Sequence, residues 1–156
     1  MSEITIVEVA PQTVLGMRKR GKYEIIPQLI MNVCQYADKM GAEIQGPPMF
    51  VCHEKSPEEV MKADSEGSAD VEVVVPVLKE VDETEDIKSY VLPGGQMAKT
   101  IHKGPYEDCG PTYEQLFKWI AENGKTITGP TREIYLNDPR ENPKEEILTE
   151  IYAPIG

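Results

Sequence analysis

The chain has 156 residues, with sixteen Lys and Arg against twenty-seven Asp and Glu, a formal charge of −11. With 40% hydrophobic and 28% charged residues it is long and apolar enough to bury a core without disulfides, which excludes wholesale disorder. The acidic balance argues against a duplex-DNA reader, which needs a basic footprint, and no apolar run reaches the roughly 18 residues of a spanning helix.

In chain order, Ile4–Val9 and Val14–Lys19 read as strands, and Gly21 with Tyr23-Glu24 marks a turn. A helix follows, because Leu29, Val33, Ala37 and Met40 recur near the 3.6-residue period. Pro27 suits its first turn and Gly41 a left-handed cap at its end. Gly46-Pro47 then turns the chain into a third strand, Ser56–Ala69 has room for a short helix and a loop, and Val71–Val77 reads as a fourth strand. Glu80, Asp82, Glu83, Glu85 and Asp86 form a solvated acidic connection over 80–86.

The same grammar then returns. Ile87–Leu92 and Met97–His102 read as strands, and Tyr113, Leu116, Phe117 and Ile120 make a helical stripe between Pro111 and Gly124. Gly129-Pro130 leads into a strand around Ile134, Asn137–Glu146 reads as a hairpin loop, and Ile147–Ile155 as the last strand. Offsetting the sequence by 83 places Gly21 on Gly104, Tyr23 on Tyr106, Glu24 on Glu107, Gly41 on Gly124 and Pro47 on Pro130. An offset of 78 places Glu72 on Glu150 and Pro76 on Pro154. The expectation is one α+β domain over 1–156, built from an internal repeat, 1–79 and 87–156, about a pseudo-two-fold axis.

Strand parity locates the chemistry. The odd positions of Val71–Val77 are all Val, and those of Ile147–Ile155 are Ile147, Thr149, Ile151, Ala153 and Ile155. These stripes are expected under the helices, together with Val51 and Ile134 of the third strands. Phe50 and Cys52, and their counterparts Glu133 and Tyr135, are then expected on the other face with Tyr152 and Glu150, lining a cleft between the halves. Phe50 stands in the first repeat where the second has Glu133, so a single carboxylate breaks the symmetry. A carboxylate among Tyr rings suits a lipophilic cation, and desolvation raises its pKa toward that of a general base. The plainer reading is a solvated Glu133 or half of an ion pair, with Tyr135 and Tyr152 as packing aromatics and Trp119 as a partly buried anchor.

Other candidates carry less. Cys109 precedes a helix start seven residues after His102, without a nucleophile motif around it. Cys52 and His53 point to opposite strand faces, and two His residues without ligand spacing give no metal site. Arg18, Lys19, Arg20 and Lys22 read as a solvated turn, and Gly94-Gly95 as a turn between strands. No cofactor fingerprint is present. Three cysteines without Cys-x-x-Cys spacing, behind a start (Met-Ser-Glu-Ile-Thr-Ile) lacking basic and apolar regions, point to a cytoplasmic protein with reduced thiols.

A family resemblance rests on several runs taken in order. They are His102-Lys103-Gly104-Pro105-Tyr106-Glu107, the helix through Trp119, Asn123-Gly124 and Gly129-Pro130. Arg132-Glu133-Ile134-Tyr135-Leu136-Asn137-Asp138-Pro139 and Thr149-Glu150-Ile151-Tyr152-Ala153-Pro154-Ile155 complete them. Together they resemble GyrI-like small-molecule-binding domains, the effector-binding modules of AraC-type and MerR-type multidrug regulators. The resemblance implies tandem β-α-β-β units of the SHS2 type, antiparallel sheets with helices on one face and a central ligand cleft. It also implies that Glu133 lies at the base of an aromatic pocket for hydrophobic, cationic compounds, with Tyr135 and Tyr152 beside it. Phe50, Tyr113, Trp119 and Glu150 are further ligand-binding candidates.

The first strand begins too close to Met1 for a helix-turn-helix, so a stand-alone binding module without direct DNA or membrane binding is expected. Some stand-alone family members resemble hydrolases of strained electrophiles, which would make Glu133 and Tyr135 catalytic. A third reading is a protein-interaction module such as a topoisomerase modulator.

Overall fold

A computed structural model describes residues 3–138 and 140–156. Pro139, in the Asn137–Glu146 loop and at the end of one of the runs above, lies outside the described residues, as do Met1 and Ser2 of the start. The strands are β1 (Thr5–Val9), β2 (Gln12–Gly21), β3 (Met49–Cys52), β4 (Ala69–Pro76), β5 (Ile87–Leu92), β6 (Gly95–Lys103), β7 (Thr131–Tyr135) and β8 (Leu148–Pro154). The helices are α1 (Ile26–Lys39), α2 (Pro57–Glu66) and α3 (Cys109–Glu122). Gly41 and Gly124, at φ 66° and 69°, follow α1 and α3 in the left-handed region that the cap reading requires. Ser56 caps α2 by accepting from the Glu59 amide, and Pro57 occupies its first turn.

Two compact α+β units result. One comprises Ala10–Gly94, the other the chain up to Val9 together with Gly95–Gly156. In the first unit the antiparallel order is β3-β4-β2-β5; in the second it is β7-β8-β6-β1. The units differ from the sequence halves in one respect. β1 pairs with β6, Thr5 opposite Lys99, and β5 pairs with β2, Gln12 opposite Leu92, so the leading strand of each half belongs to the other unit's sheet. The acidic stretch 80–86 is irregular and largely exposed, and Asp82 accepts from the Tyr36 hydroxyl through its backbone carbonyl.

Helix docking follows from the buried stripes rather than from propensity. In α1 the buried residues are Leu29, Val33 and Ala37, and the helix packs on β4. There Val71, Val73 and Val75 are buried, cross-strand from Lys19, Met17 and Leu15 of β2. In α3 Leu116 and Ile120 pack with Ala98, Ile151, Ala153 and Ile155, flanked by the partly buried Ile4, Tyr113, Phe117 and Trp119. Each fully buried aliphatic side chain of this kind contributes about 1.5–3 kcal/mol, enough to hold a 14-residue helix that is marginal alone.

The register corrects the expected faces of the third strands. Directly opposed residues of antiparallel neighbours project to the same side. Glu133 opposes Ile151 and Tyr135 opposes Thr149, so both lie on the α3 side. Ile134 opposes Glu150 and Arg132 opposes Tyr152, on the far side. In the other unit Phe50 opposes Val73 and Val51 opposes Glu72, so Phe50 is the helix-side residue and Val51 is not. The cause lies in composition: Met49, Phe50 and Val51 are all buried, so no polar residue in this short strand marks which parity faces the helix.

Thr149 stands in this packing as an anomaly. It is fully buried and its hydroxyl has no hydrogen-bond partner among the described residues, whereas Val71 occupies the corresponding register position of the other sheet. A buried hydroxyl without a partner costs about 1–3 kcal/mol. Thr149→Val is therefore expected to raise the melting temperature by at least roughly 2–4 °C, the shift that about 1 kcal/mol gives a chain of this size; calorimetry showing a lower value would mean that Thr149 has a partner.

Candidate functional site

Glu133 lies on β7 with its carboxylate turned toward α3. The preceding chain leaves β6, passes through a 3-10 turn at Tyr106–Asp108 and enters α3 at Cys109. Tyr113, one turn into the helix, donates its hydroxyl to Glu133 Oε2. Tyr135, two residues along β7 on the same face, donates to Oε1 at 3.2 Å. The Tyr106 ring meets the Tyr135 ring edge-on, centroids 5.3 Å apart and planes at 71°, while Phe117 tilts against Tyr113 at 5.8 Å. Alternation on β7 and helical spacing on α3 thus bring one carboxylate and four aromatic rings together.

The electrostatics follow from that enclosure. Burial pushes the Glu133 carboxyl up from the ordinary Glu range, and the opposing pull comes from the Tyr113 and Tyr135 hydroxyls and the field of His102. Burial, then the negative charge of Glu133, pushes the Tyr135 phenol well up; Tyr106 moves the same way for the same reasons. Both rings therefore remain neutral near pH 7. Glu133 as a residue is nevertheless only half-buried. Such an arrangement can stabilise a cation through the carboxylate and the ring faces, or move a proton through the carboxyl.

The other candidate residues lie elsewhere. Tyr152 and Glu150 are on the far side of the same sheet, where Lys99 Nζ sits 2.7 Å from Glu150 Oε2 and 5.6 Å from the Tyr152 ring centroid. The expectation that they share a stripe with Glu133 is corrected by the same one-residue parity change. Glu150 is thereby half of an ion pair whose lysine also faces an aromatic ring. Trp119 packs against the α3 core cluster, as an anchor would. Phe50 lies in the other unit, edge-on to Tyr23 with centroids 5.8 Å apart.

Tyr106 was not singled out from sequence. Its signal was the repeated Tyr-Glu turn, which places Tyr23 and Tyr106 at equivalent points before α1 and α3. Each of these rings meets an aromatic residue of its own unit's third strand, Phe50 or Tyr135. Among the described residues no three His, Cys, Asp or Glu side chains are placed to hold a metal ion, and no helix is long and apolar enough to cross a membrane.

Residues 2–156 match the GyrI-like small molecule binding domain. The chain belongs to that family. The C-terminal domain of EcmrR, a MerR-type regulator, is similar at 23% identity and a TM-score of 0.88, over 100% of this chain and 98% of that one. In the EcmrR–DNA complex the match is 24% identical with a TM-score of 0.86, over 99% of this chain and 57% of that one. This GyrI-like chain thus spans little more than half the length of the regulator. A hydrolase from Listeria innocua is similar at 15% identity and a TM-score of 0.73, over 99% of this chain and 92% of that one. SAV2435 bound to tetraphenylphosphonium is similar at 14% and 0.58, over 99% and 94%. At these identities the likeness is one of fold. No curated protein matches the sequence.

The raised Glu133 carboxyl has a consequence for stability with a definite sign. An acid whose folded pKa lies above its unfolded value destabilises the protein above that pKa and has no effect below the unfolded one. Glu133→Gln is expected to melt at a higher temperature than the wild type at pH 7, and the difference should vanish as the pH falls through about 4, the ordinary Glu range. Thermal melts across pH 3.5–8 check this; a carboxylate held for structure by a cation would reverse the sign.

Proposed function

We propose that this GyrI-like chain captures hydrophobic, cationic small molecules in an aromatic recess, with Glu133 as counter-charge and Tyr113, Tyr135 and Tyr106 as its walls. The observation that carries the reading is the state of Glu133. Protein atoms crowd its carboxyl enough to raise its pKa, yet the residue keeps part of its surface exposed. Dense neighbours together with an open side suit the floor of a recess. The tetraphenylphosphonium bound to SAV2435, a lipophilic cation on the same fold, supports the ligand class. The comparison of the two sheets supports a duplicated unit specialised in one copy. Phe50 and Cys52 occupy in β3 the register that Glu133 and Tyr135 occupy in β7. The family membership and the likeness to the C-terminal domain of EcmrR support a role as the effector-binding part of a regulator.

Binding follows from differential solvation. A delocalised cation loses little hydration on leaving water, and its apolar surface contributes about 25 cal/mol per Å² buried. The carboxylate, already desolvated by the fold, regains a counter-ion. A ligand with a neutral centre of the same shape keeps the apolar term and loses the charge term. Tetraphenylphosphonium is expected to bind at least about ten-fold more weakly to Glu133→Gln than to the wild type, consistent with about 1.4 kcal/mol or more from the charge pair. Calorimetric titration of the cation and of neutral tetraphenylmethane derivatives checks this. Equal affinities for both ligands in both proteins would remove Glu133 from the role.

The same geometry favours a second reading, a hydrolase of strained electrophiles. A carboxyl with a raised pKa is a competent general base, and the Tyr135 hydroxyl beside it can orient or protonate a leaving oxygen. Mass spectrometry of epoxide or cyclopropane substrates over long incubation separates the readings. Turnover that disappears in Glu133→Gln supports hydrolysis, and unchanged substrate supports capture alone.

A further inference from the structure

His102 is a buried polar side chain that the reading above leaves without a part. It lies on β6 with 6% of its surface exposed, cross-strand from Thr149, whose other neighbour is Tyr135. Both ring nitrogens are engaged. Nε2 is 2.9 Å from the carbonyl oxygen of Pro105, and Nδ1 is 2.9 Å from Thr112 Oγ1. A carbonyl oxygen only accepts, so Nε2 carries the hydrogen; in the neutral ring Nδ1 then accepts from the Thr112 hydroxyl. The tautomer is fixed by its partners.

The two partners occupy telling places. Pro105 immediately precedes Tyr106, and Thr112 immediately precedes Tyr113. Gly104, at φ 124°, supplies the left-handed backbone that a side-chain-bearing residue would resist, and lets the chain double back so that the Pro105 carbonyl meets the ring. One imidazole therefore ties to β6 both the turn that carries Tyr106 and the first turn of the helix that carries Tyr113. The other unit lacks this tie. Lys19 stands in β2 at the register of His102, cross-strand from Val71, and α1 is held at its start by the apolar Leu29.

We infer that His102 is a positioning residue: its imidazole, by clamping the Pro105 carbonyl and Thr112, sets Tyr106 and Tyr113 around Glu133. The inference rests on Glu133 as the functional carboxylate and extends that reading to what aims the rings. A tilt of the first turn of α3 moves the Tyr113 hydroxyl off Oε2, and a shift of the turn before it moves Tyr106 off the Tyr135 edge. Sub-ångström placement of such donors decides how a buried carboxylate is shared between the protein and a ligand. Glutamine can replace the clamp, since its amide N–H donates to the carbonyl while its amide oxygen accepts from Thr112. Leucine cannot.

The test uses the whole chain, tetraphenylphosphonium as probe, and the variants His102→Leu, His102→Gln, Tyr113→Phe and the double His102→Leu/Tyr113→Phe. Calorimetry is expected to show affinity about ten-fold lower for His102→Leu, comparable to losing one hydrogen bond to a charged group. His102→Gln should stay close to the wild type, and because the clamp also sets Tyr106, the double variant should bind more weakly than Tyr113→Phe alone but by less than the two single losses combined. A ligand-free readout accompanies it. In carbon-13 NMR the Glu133 carboxyl should titrate at higher pH in His102→Leu than in His102→Gln, since both lack the field of His102 and only the glutamine keeps the clamp.

Equal titration and affinity in His102→Leu and wild type would overturn the clamp. So would a His102→Gln that behaves like His102→Leu, since that marks a through-space charge effect. Should His102→Leu fail to fold, Thr112→Val, which cuts one of the two bonds, takes its place with the same expectations. If no protein binds the probe while the Glu133 titration still follows His102, the capture reading falls and the clamp stands.

Discussion

The structure around α3 is organised by the cost of crowding one carboxylate with protein. An ionised Glu transferred into a low-dielectric setting is penalised by several kcal/mol unless hydrogen bonds replace its hydration. Here the replacement comes from two phenols, one per oxygen, delivered by a helix and by the same strand. Because phenols are neutral donors, they relieve desolvation without cancelling the charge. The site keeps a negative potential and a raised pKa together, a combination that a lysine or arginine partner would have removed.

The far side of the same sheet shows the contrast. Glu150 is paired with Lys99, and the lysine also lies over the Tyr152 ring. A cation, a carboxylate and an aromatic face are thus already assembled there within the protein itself, so the attraction is satisfied internally. In the other unit Glu72 is likewise closed off, accepting from the Tyr90 hydroxyl at 2.5 Å and lying 2.6 Å from His53 Nε2. The three carboxylates illustrate three outcomes of one rule: a buried acid acquires a base, a network, or neutral donors that leave its charge available.

Much of the fold was legible because its signals were local or periodic. The stripes Leu29-Val33-Ala37 and Leu116-Ile120, the capping glycines and the Val run of β4 each announce one element through side-chain spacing. Two things were hidden. Facing in β3 and β7 depends on pairing register, and five residues or fewer with apolar or mixed side chains at both parities leave register to the neighbouring strands. That is why strand parity alone set Glu133 and Tyr135 on one face with Tyr152, whereas the register turns them toward Tyr113. The clamp at His102 was hidden because its partners are a carbonyl and a hydroxyl, groups that nearly every stretch of sequence offers. Tyr106 was masked in the same way, its neighbour Tyr135 being brought near only by the tertiary fold.

The exchange of leading strands has a consequence for biogenesis. As the polypeptide emerges from a ribosome, Thr5–Val9 has no ladder to join until Gly95–Lys103 appears, so its edge stays unpaired while the intervening unit is made. The portion bearing α1 can close its four strands once Ile87–Leu92 is out, while the orphan segment ahead of it waits. A cut within the acidic stretch would leave Thr5–Val9 and Ile87–Leu92 each separated from the sheet it joins. Such fragments are suited to reassemble only as a complementing pair, because each sheet draws strands from both sides of the cut.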